Sequence, residues 1–157
     1  MKKVLALFVF LLAFCLVFAS PVCALDLTIT AANVAQVSGV PQQYTAGGTI
    51  TQGQCVYLNS SNQVVGAKSN ASATAAVLGI ALNSASTGQP VTVLTSGVIT
   101  IGATTTKGTI YVVSAANAGG IAPISDLATG NYLSIIGYAN STTQITLTIN
   151  ATGVTLP

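Results

Sequence analysis

Ile145-Thr146-Leu147-Thr148-Ile149 alternates an aliphatic side chain with threonine. On an extended chain successive side chains point to opposite faces. This period of two therefore puts Ile145, Leu147 and Ile149 on one face and the two threonines on the other. Threonine is β-branched and polar, so it suits the wet face of a half-buried strand. Leu27-Thr28-Ile29-Thr30 carries the same pattern, and Val91-Thr92-Val93 and Val98-Ile99-Thr100-Ile101 read similarly. Further strands are expected over residues 55–58, 76–82, 110–113 and 132–139. The chain has 15 Gly, spread between and within these runs where turns, bulges and close approaches would need them. Beyond residue 24 no segment has a helical period; at most a helical turn is expected over residues 71–76, whose Ser and Thr argue against a long helix. The fold class is therefore all-β: a compact β-barrel or β-sandwich of about 8–10 short strands with an extended N-terminal arm.

A weak internal repeat emerges when the turns are aligned. Gly53-Gln54-Cys55-Val56-Tyr57-Leu58 resembles Gly88-Gln89-Pro90-Val91-Thr92-Val93 and Gly108-Thr109-Ile110-Tyr111-Val112-Val113, with Gly130-Asn131-Tyr132-Leu133 a looser match. A second echo joins Val77-Leu78-Gly79-Ile80-Ala81-Leu82-Asn83-Ser84 to Ile135-Ile136-Gly137-Tyr138-Ala139-Asn140-Ser141. One reading is a pseudo-duplicated β unit. The other is that a glycine turn entering an apolar strand recurs in any β protein, because turn chemistry demands it.

The amino terminus is of another kind. Lys2 and Lys3 precede an apolar run over residues 4–19, followed by Ser20-Pro21-Val22-Cys23-Ala24. A basic start, an apolar stretch and small residues at a cut site describe a secretory signal peptide, with Val22 and Ala24 at −3 and −1 if cleavage falls before Leu25. The run is short of the roughly 20 residues that span a bilayer, so a retained membrane anchor is the lesser expectation. The chain thus divides into residues 1–24, a signal peptide or membrane anchor; residues 25–43, an arm or first strand; and residues 44–157, the β-barrel or sandwich domain. Leu27, Ile29, Val34 and Val37 are the candidate assembly residues of the arm, since an alternating apolar segment can add to a neighbour's sheet edge.

Removing residues 1–24 takes away all 4 Phe and the 1 Met. The remainder has no His, Arg, Glu or Trp, and its charged side chains are Asp26, Asp126, Lys68 and Lys107. Without clustered Lys or Arg it offers nothing to nucleic acid or to an acidic membrane. A neutral protein also lacks the self-repulsion that keeps monomers apart, so a homo-oligomer is expected.

Chemistry is scarce. Zinc needs a cluster of Cys, His or carboxylates and calcium needs several carboxylates; one Cys and two isolated Asp supply neither. Serine or threonine nucleophiles would have only Lys68, Lys107 or a new amino terminus as base. Asp26 and Asp126 are a poor prospect for paired-carboxylate glycoside chemistry. Cys55, the only cysteine left, reads as a small buried hydrophobe. No catalytic residue, metal site or cofactor is expected, and the chain reads as a non-enzyme. Sequons stand at Asn59, Asn70, Asn140 and Asn150, a small excess over chance.

Several stretches look familiar together: Leu27-Thr28-Ile29-Thr30-Ala31-Ala32-Asn33-Val34, Ala46-Gly47-Gly48-Thr49-Ile50-Thr51-Gln52-Gly53-Gln54-Cys55-Val56-Tyr57-Leu58, Val77-Leu78-Gly79-Ile80-Ala81-Leu82-Asn83-Ser84 and Thr87-Gly88-Gln89-Pro90-Val91-Thr92-Val93. Thr95-Ser96-Gly97-Val98, Gly119-Gly120-Ile121-Ala122-Pro123, Leu127-Ala128-Thr129-Gly130 and the Ile136-Gly137-Tyr138-Ala139 stretch join them. With these motifs, residues 27–157 resemble the small β-barrel structural proteins of tailed bacteriophages, a group that includes capsid decoration and head-fibre proteins. The resemblance implies a protein bound to the outer face of a capsid, often as a trimer, with no catalytic residues to carry over. The leader departs from that pattern, since a virion protein assembled in the cytoplasm has no evident need for export.

The leading expectation is a virion structural protein that binds itself and a major capsid or surface-lattice protein. The alternative is a secreted subunit of a cell-surface filament, sheath or adhesin, joined by strand addition. A carbohydrate-binding module ranks last: its aromatics would be Tyr44, Tyr57, Tyr111, Tyr132 and Tyr138, and Tyr111 and Tyr138 lie in apolar runs that read as core. Because almost no charge is available, association should change less than twofold between low and high salt when followed by sedimentation, screening acting only on charges.

Overall fold

The computed structural model describes residues 25–157. It is a two-sheet, all-β structure. Its strands are β1 (Val34–Gln36), β2 (Pro41–Thr45), β3 (Cys55–Leu58), β4 (Val64–Gly66), β5 (Val77–Ala81), β6 (Pro90–Leu94), β7 (Gly97–Ile101), β8 (Ile110–Val113), β9 (Ile121–Pro123), β10 (Tyr132–Ala139) and β11 (Gln144–Thr155). One helical turn, α1 (Ser72–Ala75), lies between β4 and β5, inside the stretch where the sequence allows it. The six-stranded sheet runs β1-β7-β11-β10-β8-β9 and the five-stranded sheet β2-β6-β5-β3-β4.

The chain therefore changes sheets twice, between β1 and β2 and between β6 and β7. Both crossings are made at Ser-Gly: Ser38-Gly39 and Ser96-Gly97. The two glycines have φ of 102° and 107°, a region that disfavours any side chain. The corners also pack on one another. A Cβ on Gly39 would strike the carbonyl oxygen of Ser96, and one on Gly97 would strike that of Ser38. The Ser38 hydroxyl accepts a hydrogen bond from Val98 N–H at 3.0 Å, tying the first corner to the strand that leaves the second.

The strands repeat in pattern as well as in number. β3 pairs with both β4 and β5, and β8 pairs with both β9 and β10. β5 then pairs with β6 and β6 with β2, as β10 pairs with β11 and β11 with β7. The register agrees residue by residue: Cys55 faces Ile80 as Ile110 faces Tyr138, Val56 faces Gly79 as Tyr111 faces Gly137, and Tyr57 faces Val77 as Val112 faces Ile135. A bulge residue, Leu78 or Ile136, interrupts each ladder at the same place. Gly53 N–H donates to Ala81 O and Gly108 N–H to Ala139 O, both at 2.8 Å. Residues 38–94 and 96–149 are thus two copies of one β unit, which decides between the two readings of the sequence echoes.

The recurring Gly-polar dipeptide has a definite job. In the turns at Gly53, Gly88, Gly108 and Gly130 the residue after glycine donates its N–H to the carbonyl three residues back, at 3.0–3.1 Å. The glycines have φ of 82–93°, so these are type II turns. The opening N–H of each turn is capped by a side chain: Gln54, Gln89 and Asn131 cap Thr51, Ser86 and Ala128, and the Tyr111 hydroxyl caps Thr106.

Between the sheets lies the main core. From the five-stranded sheet come Cys55, Val77, Ile80 and Leu94; from the other come Ile99, Ile101, Tyr111, Val113, Ile121, Ile136, Ala139, Ile145 and Leu147. Each fully buried aliphatic side chain contributes about 1.5–3 kcal/mol. A second cluster covers the other face of the five-stranded sheet, built from Val56, Val64, Ala81, Val91 and Val93 under Ala46, Ile50 and Ala85.

The strand expected over residues 27–30 is not one. Leu27 N–H donates to Ile121 O of β9 at 2.7 Å, and Thr30 N–H to Gly102 O just past β7 at 2.8 Å. The segment crosses from one end of the six-stranded sheet toward the other instead of pairing with one strand, while Leu27 and Ile29 pack on the core. The boundary expected at residue 44 falls inside β2, whose residues 41–45 all pair with β6. The strands β1, β2, β4 and β9 add to those expected from the sequence.

Gly79 and Gly137 occupy equivalent positions where a neighbouring backbone approaches closely: a Cβ on either would meet the carbonyl oxygen of Leu94 or Thr146. Gly79→Ala and Gly137→Ala should each destabilise by about 2 kcal/mol or more through overpacking. Gly88→Ala, with open space around it, should lose only about 1 kcal/mol from its positive φ. Urea unfolding of the three variants checks this order.

Candidate functional site

The reactive groups come first, because a site could be built on them. Cys55 is buried, and its Sγ lies 3.1 Å from Gly120 O, to which the thiol donates. Burial pushes the thiol up to about 12; hydrogen bonding to the backbone at Cys55 opposes this, and the Asp26 charge adds to it. Asp26 Oδ2 accepts a hydrogen bond from Asn117 Nδ2 at 2.7 Å, while its Oδ1 is buried without a partner. Asp126 lies in the 3-10 turn Ile124–Asp126, and its Oδ2 accepts from Leu25 N at 2.5 Å. Among the described residues no three of His, Cys, Asp and Glu come together.

A cleft of about 300 Å³ lies beside Asp26, with Gln52, Gln54, Asn117 and Gly119 among its walls. Its carboxamides are occupied. Gln54 caps the turn at Thr51, Gln52 Nε2 donates to Val34 O at 2.9 Å, and Asn117 holds Asp26.

The four arm residues part company. Leu27 and Ile29 are half-buried against the core and Val34 is fully buried in β1, where it pairs with Ile101 of β7. Val37 alone stays outside at 53 % exposure, next to Val40 at 77 %. These valines lead into β2, which ends the five-stranded sheet. Gln42 and Gln43 are exposed there, and no strand lies along its outer edge among the described residues. Of the sequons, Asn70 and Asn150 are exposed, whereas Asn59 braces the β3–β4 turn and Asn140 donates to Thr146 Oγ1.

The larger unsatisfied surface comes from the duplication. Cys55 and Ile80 face each other on the side of the five-stranded sheet that packs against its neighbour, and both are 0 % exposed. Their counterparts Ile110 and Tyr138 also face each other, yet are 39 % and 44 % exposed. They lie on the outer face of β8, β10 and β11, where Ile135, Gly137, Thr148 and Asn150 complete a shallow depression of about 350 Å³. Nothing covers it among the described residues. The expectation that Tyr111 and Tyr138 are both core is half right: Tyr111 is buried, but Tyr138 sits one residue further along, on the other face of the sheet. An apolar strand pattern signals burial without saying what buries it, so this face was not legible from the sequence.

In comparisons with known proteins, no family model and no curated protein matches the chain. The leader read from residues 2–24 lies outside the described residues. No helix among the described residues is long and apolar enough to cross a membrane, which leaves membrane crossing by strands undecided.

Thiol reagents should leave Cys55 unmodified in the native protein and modify it fully in guanidinium chloride. The raised value favours the neutral thiol in the fold. Its contribution to stability is therefore present below the ordinary value of 9.0 and is lost as pH rises from there toward about 12. Chemical unfolding across that range checks the direction.

Proposed function

We propose that this chain is a non-enzymatic structural protein that works through its surface, by self-association and by binding to a protein lattice. The observation that carries the proposal is the exposed apolar face around Ile110 and Tyr138. In the first copy of the β unit the same face is a packed contact between sheets. In the second it is left open, though its residues are still apolar. An apolar patch of this kind on a nearly uncharged protein suits contact with another protein.

The lattice we favour is the outer surface of a virion, in the manner of a capsid decoration or head-surface protein. The reading rests on the bacteriophage-like turn and strand motifs over residues 27–157. A second reading is a secreted subunit of a cell-surface filament, sheath or adhesin. The signal-peptide pattern of residues 2–24 and the uncovered edge of β2 favour it, since an added strand could pair there.

Tyr138→Glu and Ile110→Ser should each weaken assembly about 30-fold or more, the size of an interface hot spot. Melting of the isolated chain should move little, as for other surface substitutions. Sedimentation and thermal melting measure the two effects. Unchanged assembly in both variants would remove this face from the proposal. Mass spectrometry of purified virions and of cell-surface fractions separates the two lattices.

A further inference from the structure

The two acidic side chains beyond residue 24, Asp26 and Asp126, are a hundred positions apart in sequence, yet both serve the amino-terminal segment. Asp126 Oδ2 accepts from Leu25 N at 2.5 Å. Asp26, the next residue, binds Asn117 of the β8–β9 loop through one carboxylate oxygen and keeps the other buried and unpartnered. Leu25 itself is 70 % exposed. In the sequence, the peptide bond before it is where Val22 and Ala24 mark a signal-peptide cut.

Cleavage there changes the chemistry of the contact. Hydrolysis of the Ala24–Leu25 bond consumes one water. Ala24 leaves with the new carboxylate, and Leu25 keeps the nitrogen, which takes up a proton and becomes an ammonium. A neutral peptide N–H with one hydrogen to donate is replaced by a cation with three. The hydrogen bond to Asp126 becomes an ion pair, shorter and stronger in kind than its neutral counterpart. We infer that leader removal between Ala24 and Leu25 creates an α-ammonium that Asp126 and its 3-10 turn receive, so that processing fastens the segment lying across β9 and β7.

The position of the contact gives this a consequence. Residues 27–30 cross from the edge of β9 to the end of β7 with two backbone hydrogen bonds to the sheet, from Leu27 N–H and Thr30 N–H. A fastening at Leu25 holds the outer end of that segment, while Val34 in β1 holds the inner end. Before cleavage Asp126 meets a neutral N–H; after it, a charge of opposite sign. The reading stands apart from any assembly role of the outer face.

The test uses the full-length gene expressed in a bacterium that exports the product. Mass spectrometry of the exported protein should find Leu25 at its amino terminus. Trace acylation of the native protein then reports how free the α-amine is, with Lys68 and Lys107 as internal references. In Asp126→Asn its labelling relative to the lysines should rise about two- to fivefold, the range of an exposed ion pair. In the unsubstituted protein the same ratio should rise as salt screens the pair, which keeps the test valid if the variant fails to fold. A terminus at any residue other than Leu25, or labelling that responds to neither Asp126→Asn nor salt, would overturn the inference.

Discussion

Everything in this fold follows from where the chain changes sheets. It does so twice, and the two Ser-Gly corners lie against each other, each leaving no room for a Cβ on the other. Their contact puts β1 beside β7 in one sheet at the point where β2 begins in the other. Five strands can then be laid down in one sheet and five more in the next with the same internal pattern. If either corner opened, both copies would lose register, because β2 follows directly on Gly39 and β7 starts at Gly97. A one-residue slip would send every aliphatic side chain to the wrong face.

The duplication preserves the ladders but not the environments. Ile50 of the first copy covers the face of its own sheet that points away from the second sheet, and forms an isolated bridge with Ala85. At the corresponding place in the second copy Thr105 N–H donates to Thr142 O, and the threonine hydroxyl turns to Ser141 O. The first copy presents Cys55 and Ile80 to the second, which receives them on Tyr111, Ile136 and Ile145. Like faces do not meet. The contact is heterologous, one side of one unit on the opposite side of the next. Such contacts leave a face of each kind unused unless a ring closes. The first copy covers its spare face with the residues around Ala46 and Ile50; the second leaves Ile110 and Tyr138 uncovered. The candidate surface is thus a consequence of stacking two equivalent units head to tail.

Much of this was legible in the sequence and some could not be. Strands with a clear apolar alternation, such as β6, β7 and β11, are where their residues place them, because burial of one face fixes both position and register. β1, β4 and β9 are too short to show a period, and Pro41-Gln42-Gln43-Tyr44-Thr45 is too polar to look like a strand until β6 is beside it. Leu27-Thr28-Ile29-Thr30 has the alternation without the ladder. Two of its side chains need the core, but its backbone bonds go to two different strands. The repeat was visible as glycine turns and undecided, since turn chemistry alone would produce it; the matching strand order, register and bulges at Leu78 and Ile136 are what separate a repeated unit from common need. Tyr138 could not be placed, because whether a strand residue is covered depends on which sheet lies above it.

A nearly uncharged β protein must also avoid pairing along every sheet edge at once. The usual protection by lysine is absent here, and the edges are blunted by the backbone and by amides instead. β9 is occupied by Leu27 N–H, and β1 by Gln52 through Val34 O. β4 is occupied by Ala46 and Gly47, the latter donating to Val64 O at 2.8 Å. β2 is left, beginning with a proline that cannot donate and continuing with two exposed glutamines. Among the described residues three edges are closed, while the edge of β2 and the apolar face around Ile110 and Tyr138 stay uncovered. Leu27, which covers β9, belongs to the segment that starts at Leu25 and Asp126. The order of that segment therefore decides whether the edge of β9 is covered.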